Sequence, residues 1–380
     1  MDEFVIFLVI LVAGIFFSEL FKRLHLPYVP ALIVAGIVVG PLGLNLVELT
    51  PSMLFLGSIG VIFLMFIAGL EVKTDYLTSI WKRVGLCAVI NGGLPGFVGF
   101  TISYVFGYEL ITSILLGTIF VSSSIAVIIP SLQEKGLINT EYGSVIVGTV
   151  VIEDIASLFL LSIILQTANP TTNLPLPLFI SVVIFSIVLI KYFLPKIENV
   201  FFERRGRGGV EENVQFVLVL LVSVAVYFEL LGMHAIVAGF LVGLILSKAI
   251  KNKPIESKLH VLSYGVFIPV FFLEVGLETD LTVFLEASDT VLLSLAVVGG
   301  LILSKILSGY LCGRLMGFSR KERLLFGVAS TPQLSTSLAV AFTALELGLI
   351  DSSLQVSIVL LSITTVLVAP FVVGLLAKTT

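Results

Sequence analysis

Two acids stand side by side in the run VVIEDIASLFLL, residues 150–161, and a lysine interrupts a second apolar run, GGLILSKILSGYL, residues 299–311. The acids are Glu153 and Asp154, and the base is Lys305. A charge at the centre of a lipid-embedded helix costs about 2.5–3.5 kcal/mol on insertion scales, so ionisable residues placed there mark proton or ion pathways. One lysine can neutralise one carboxylate, and two carboxylates leave a surplus. Successive helix residues point about 100° apart, so the two acids do not easily share a partner: one meets Lys305 while the other faces a cavity. A structural salt bridge accounts for one acid but not for both. An oxygen-rich cavity suits a hard monovalent cation, and a carboxylate there binds a proton in its place. Burial and a neighbouring anion favour the protonated carboxyl, a neighbouring cation favours the ionised one, and interacting groups titrate as a cluster. Competition between proton and cation for one site, joined to alternating access, amounts to exchange.

The elements that must hold these residues are membrane spans. Hydrophobic residues make up 58% of the 380-residue chain and charged residues 12%, against roughly 25% charged in soluble domains; mean hydropathy is +1.16. A helix crosses a bilayer with about 20 apolar residues, which predicts an all-α polytopic protein with spans at 4–20, 28–45, 52–70, 84–107, 110–132, 142–166, 175–195, 213–229, 232–250, 262–279, 288–312, 322–345 and 353–377. Glu153 and Asp154 then lie about 18 Å from the inner end of the sixth span, at 1.5 Å per residue. The start, Met1-Asp2-Glu3, runs into apolar sequence without a basic region or cleavage site and reads as a retained first span. Of 21 basic residues, all but Lys305 follow the odd-numbered spans or lie near their inner ends, while 46–51, 107–110, 167–175, 229–232, 279–288 and 346–353 contain none. Lysine and arginine collect on the cytoplasmic side, so a cell-membrane protein is expected, amino terminus outside and carboxyl terminus inside. Cys87 and Cys312 lack the spacing of a zinc site or disulfide framework.

The chain also looks duplicated. FIAGLEVKTD at 66–75 resembles FLEVGLETD at 272–280, and SSSIAVIIPSLQEKGLI at 122–138 resembles STSLAVAFTALELGLI at 335–350. The two copies leave their spans in opposite directions, as in transporters with inverted-topology repeats, whose substrates bind near the midplane at the repeat interface. The expected repeats are 1–166 and 213–377, joined by a linker span at 175–195, in a single membrane unit of residues 1–380. In the second repeated pair, apolar helices are interrupted by Ser122, Ser123 and Ser124 and by the stretch STPQLSTS at 330–337, which supplies Thr331, Gln333 and Ser335. Breaks at membrane depth require protein or a watery cavity to satisfy the freed backbone, so these six residues are candidates for an ion path at two crossing discontinuous helices. Taken singly, each hydroxyl reads as bonded back to its own helix or gluing neighbours together; the paired breaks do not.

Several motifs together give the chain a family resemblance: LPYVPALIVAGIVVGPLGL (26–44), FLMFIAGLE (63–71), VIEDIASL (151–158), MHAIVAGFLVG (233–243), FIPVFFLEVGLETDL (267–281), and Lys305 ahead of GRLMGFSRKERLLFG (313–327). On these the sequence resembles the monovalent cation:proton antiporter-2 family of sodium/proton and potassium/proton exchangers, over nearly its whole length. The resemblance implies the sodium/proton antiporter fold, a homodimer with interleaved dimerisation and core subdomains, and elevator-like movement of the core. It implies that Asp154 carries Na⁺ or H⁺ and that Glu153 pairs with Lys305, itself proton-linked. Where the family often has two aspartates, this chain has Glu153 first. Potassium exchangers of the family often continue into a cytoplasmic nucleotide-binding domain; the sequence stops at Thr380, which sets the expectation on sodium, with lithium a further substrate and a prokaryotic source.

Glu274 stands where the family pattern has a small residue and reads either as an extra ligand or as a rim-facing acid of the outer cavity, the second being favoured. His234 reads as a capping or packing residue, and Glu71, Asp75 and Glu229 as span-end groups. Potassium/proton exchange is the first alternative. An organic-anion symporter would need a cationic clamp, for which the core offers Lys305 alone, and a channel would conduct without proton coupling. No phosphate loop, catalytic triad or metal-ligand spacing supports an enzyme, and no cofactor or nucleic-acid partner is expected. The partners are lipid, monovalent cations and protons.

Overall fold

The computed structural model describes residues 3–24, 27–41, 43–71, 77–124, 127–128, 131–132, 135–137, 140–168, 170, 175–204, 210–231, 235–247, 253–282 and 288–378. All the regular elements among them are helical: α1 (Glu3–Arg23), α2 (Tyr28–Val39), α3 (Pro51–Glu71), α4 (Leu77–Val105), α5 (Leu110–Val121), α6 (Glu141–Ala168), α7 (Leu176–Arg204), α8 (Val210–Leu230), α9 (Ala235–Leu246), α10 (Lys253–Leu262), α11 (Ile268–Leu277), α12 (Ser288–Leu315), α13 (Arg320–Ala329), α14 (Ser335–Glu346) and α15 (Ser352–Lys378). Each of the thirteen expected windows contains helix. Length and composition qualify nine helices among the described residues as spans, while Tyr28–Val39, Leu110–Val121, Ala235–Leu246 and Thr336–Glu346 are shorter apolar helices. The count of thirteen crossings therefore rests on the sequence and not on helix length. His234 and Asp75 lie outside the described residues.

Local chemistry sets several boundaries. Ser319 and Glu322 form a capping box at the start of α13, each side chain accepting from the other's backbone N–H and so occupying donors that the first helical turn leaves free. Asp351 caps α15 by accepting from Leu354 N–H at 2.9 Å and also receives the Tyr108 hydroxyl at 3.0 Å. Between α10 and α11 the helix continues through a π-helical turn, Ser263–Phe267, where Ile268 N–H donates to Ser263 O. Such single-turn π insertions concentrate at functional sites.

The chain forms two compact units, each assembled from separated segments. One comprises Pro51–Lys73 and Ser162–Phe271; the other comprises Met1–Thr50, Thr74–Leu161 and Phe272–Thr380. In the first, α3 packs on α9 with almost no side chain between them. A Cβ at Gly243 would stand 2.1 Å from Phe66 O, an overlap only glycine avoids. The second unit holds every candidate site residue. There α12 packs against α4, α13 and α15. At the α12–α13 contact, a Cβ on Gly309 would lie 2.4 Å from Gly327 Cα. That contact fixes the backbone one helical turn beyond Lys305.

Candidate functional site

The site forms where two interrupted segments meet. Ser122 leaves α5 with φ −67 and ψ 165, and residues 122–124 are outside any regular element. On the other strand of the crossing, α13 ends at Ala329 and α14 begins after Leu334, whose φ and ψ are −144 and −91. Pro332 sits inside this break, where its missing N–H costs nothing.

The backbone groups released by one break are met by the other. Ser124 N–H donates to Pro332 O at 2.7 Å, and Gln333 Nε2 donates to Ser122 O at 2.5 Å. Gln333 N–H in turn donates to Thr365 Oγ1 on α15 at 3.0 Å. Gln333 Oε1 receives Ser122 Oγ at 3.0 Å and the Ser337 hydroxyl. Gln333 and Ser122 are both buried. An unpaired buried amide or carbonyl costs about 1–3 kcal/mol, so the amide of Gln333 is what makes the two open helices compatible with a dry interior.

Beside the crossing lies the ion pair. Lys305 Nζ donates to Glu153 Oε2 at 3.0 Å, to Ser123 Oγ at 2.9 Å and to Val121 O at 3.0 Å, which uses all three ammonium protons. Glu153 Oε1 accepts from Asn91 Nδ2 at 2.8 Å, and Ser123 Oγ lies 2.9 Å from Glu153 Oε2. Neither side chain of the pair is exposed. Asn91 is itself oriented by Ser308 Oγ at 2.8 Å and Ser330 Oγ at 3.3 Å, both reaching its Oδ1. The pair thus joins four helices: α4, the end of α5, α6 and α12.

Asp154 is differently placed. It is 2% exposed and takes a hydrogen bond from Thr336 Oγ1 at 3.3 Å, at the first turn of α14. The side chains of Glu153 and Asp154 leave α6 in different directions, one to the lysine and the other to the start of a half-helix.

The remaining expected residues divide. Ser122, Ser123 and Gln333 come together at the crossing. Thr331 spends its hydroxyl on Val328 O at 2.8 Å, within its own chain segment. Ser124 Oγ is buried and has no hydrogen-bond partner among the described residues. Ser335 begins α14, and its side chain lies outside the described residues. Glu274 lies on α11 three residues before its end at Leu277 and is 9% exposed. Glu229 is exposed, as a span-end group should be. Asn91, Ser308 and Thr365 were not singled out from the sequence, although an asparagine within the apolar span 84–107 is a signal of the same kind as Glu153. Among the described residues, no group of three or more histidines, cysteines, aspartates and glutamates is arranged to hold a metal ion.

Two half-helices crossing at unwound centres, a desolvated ion pair and a second carboxylate define a membrane transporter for small cations. The comparisons agree. Residues 7–379 match the profile of the family described as sodium/hydrogen exchanger, transmembrane. A probable Na⁺/H⁺ antiporter 3 of Methanocaldococcus jannaschii is 31% identical over 375 residues, covering 97% of this chain and 95% of the relative. An Na⁺/H⁺ antiporter of Enterococcus hirae is 28% identical over 385 residues, covering 99% and 98%. The solved sodium proton antiporter MjNhaP1 of Methanocaldococcus jannaschii at pH 8 has the same fold, with a TM-score of 0.73 at 19% identity over 97% of this chain and 96% of that one. The chain belongs to the sodium/hydrogen exchanger family: it is a multi-pass monovalent cation:proton antiporter and not an enzyme.

Proposed function

We propose that the protein exchanges Na⁺ for H⁺, with the two competing for Asp154. The carrying observation is the inequality of the two acids. Glu153 is neutralised by Lys305 and held by Asn91 and Ser123, whereas Asp154 stands outside that pair, beside the Thr336 hydroxyl. A sodium ion entering the site exchanges its hydration shell for the Asp154 carboxylate and neighbouring oxygens such as the Thr336 hydroxyl. Protons arriving from the other side convert the carboxylate to a poor cation ligand and release the ion. Lys305 and Glu153 keep the adjacent position electrically paired, so a single ionised acid is left for the cargo.

In this reading the unit that carries the crossing moves as a body in an elevator-like cycle, the other unit forms a homodimer contact, and the repeats run 1–166 and 213–377. The distribution of lysine and arginine supports an amino terminus outside and a carboxyl terminus in the cytoplasm. The names of the relatives support sodium as the cation, with lithium as a second substrate.

The test is proton movement in sealed proteoliposomes, followed with a pH-sensitive dye while sodium, lithium or potassium is added. The wild type responds to sodium and lithium, and the Asp154→Asn protein, purified in folded form, does not. Normal sodium-driven proton movement in Asp154→Asn would sink the assignment of the carrier residue. A wild-type response to potassium alone would transfer the protein to potassium/proton exchange.

A further inference from the structure

Asn91 holds the oxygen of Glu153 that Lys305 does not use. Lys305 Nζ and Ser123 Oγ both go to Glu153 Oε2, while Oε1 receives Asn91 Nδ2 at 2.8 Å. An ionised carboxylate only accepts hydrogen bonds, so the amide must turn its nitrogen to Glu153 and its oxygen the other way. The groups on that other side suit the orientation: Asn91 Oδ1 receives Ser308 Oγ at 2.8 Å and Ser330 Oγ at 3.3 Å. Asn91, Glu153, Ser308 and Ser330 are all buried.

Each serine ties the amide to a different part of the site. Ser308 lies one turn beyond Lys305 on α12, its hydroxyl 3.1 Å from Lys305 O. Ser330 opens the break after α13, and its carbonyl accepts from Ser123 Oγ at 2.8 Å. The backbone of α4 is close as well, since a Cβ on Gly92 would stand 3.6 Å from Glu153 Cγ. An uncharged amide brings no new charge for Lys305 or a sodium ion to meet. What it constrains is where the existing carboxylate points.

Without that constraint Lys305 has a second acid to turn to. Asp154 follows Glu153 in the chain and lies within electrostatic reach of Lys305. A Glu153 carboxylate released at Oε1 holds the ammonium less firmly, and the ammonium then competes with an incoming cation for Asp154.

We infer that Asn91 is a positioning residue for cation capture: by fixing the Glu153 carboxylate it reserves Lys305 for that acid and leaves Asp154 to the transported cation. The inference rests on the antiporter reading, in which Asp154 carries the cargo. Asn91 acts through Glu153 and Lys305, not on the cation itself.

The test separates positioning from packing. Asn91→Leu keeps the volume and removes both polar ends. In proteoliposomes it raises the KM for sodium by about fivefold, with Vmax within about twofold of the wild type, which is part of what a hydrogen bond to a charged group is worth. In the Lys305→Met/Glu153→Gln background no ammonium competes, and there the same substitution changes sodium affinity by less than about twofold. Affinity in both backgrounds is also read without transport, from the rise in melting temperature that sodium produces over choline in detergent. If Asn91→Leu does not fold, Ser308→Ala/Ser330→Ala frees the amide to turn from Glu153 and carries the comparison, with sodium affinity lower by about threefold. Unchanged sodium affinity overturns the inference, and so does an equal loss in both backgrounds, which would make Asn91 a packing residue. A wild type that does not exchange, while sodium still raises its melting temperature, would instead overturn the antiporter reading and leave the affinity comparison to decide on Asn91.

Discussion

Replacing Lys305 with methionine keeps most of the side-chain volume and removes the charge. Glu153 would then be an unpaired carboxylate with no exposure. Breaking a buried pair from one side costs about 3–5 kcal/mol. Part of that loss belongs to Val121 O, which receives Nζ at 3.0 Å and stays unmatched whenever the lysine is missing, at about 1 kcal/mol. The rest belongs to the stranded charge. The double variant Lys305→Met/Glu153→Gln has no charge to strand, and its amide keeps an oxygen for the Asn91 donor. It should therefore recover about 2–4 kcal/mol of the single variant's loss, with the Val121 share outstanding. Thermal melting of purified protein in detergent, for wild type, both singles and the double, gives the comparison. A Lys305→Met protein that melts with the wild type refutes the reasoning, and so does a double variant no more stable than Lys305→Met.

Asn91→Leu removes the donor to Glu153 Oε1 and should cost about 1.5–3 kcal/mol, the range for hydrogen bonds to charged groups, whereas Ser308→Ala should cost less than half as much because Asn91 Oδ1 still receives Ser330; paired melting curves decide. Gly309→Ala drives a Cβ into Gly327 backbone and should destabilise by about 1–3 kcal/mol, while Gly299→Ala on the same helix meets nothing within 4 Å and should stabilise by about 0.5–1 kcal/mol, both read by melting.

The spans were legible because lipid imposes one rule on every helix, and thirteen apolar windows each contain helix. The breaks at Ser122–Ser124 and 330–334 were legible for the same reason, since hydroxyls and a proline in such windows need an explanation. What escaped was geometry that depends on partners far away in sequence. Periodicity cannot tell that Glu153, and not Asp154, meets Lys305; the residues left that open, and only the family resemblance assigned it. Asn91 was passed over because one amide in an apolar run carries no sign of its target 62 positions away. Glu274 reads from the sequence as either a ligand or a rim acid, because nothing local reveals how deeply the surrounding helices cover it. The π turn at Ser263–Phe267 likewise has no composition to announce it.

The crossing also sets a schedule for biosynthesis. Glu153 precedes Lys305 by 152 positions and Ser122 precedes Gln333 by 211. At about 5–20 residues per second, the ribosome delivers the lysine about 8–30 s after the acids. During that interval α6 must wait with its carboxylates protonated, hydrated or lent to another partner, and the open end of α5 must wait longer for its glutamine. A nascent chain arrested between the two would hold an unfinished core, and the last third of the polypeptide is what closes it.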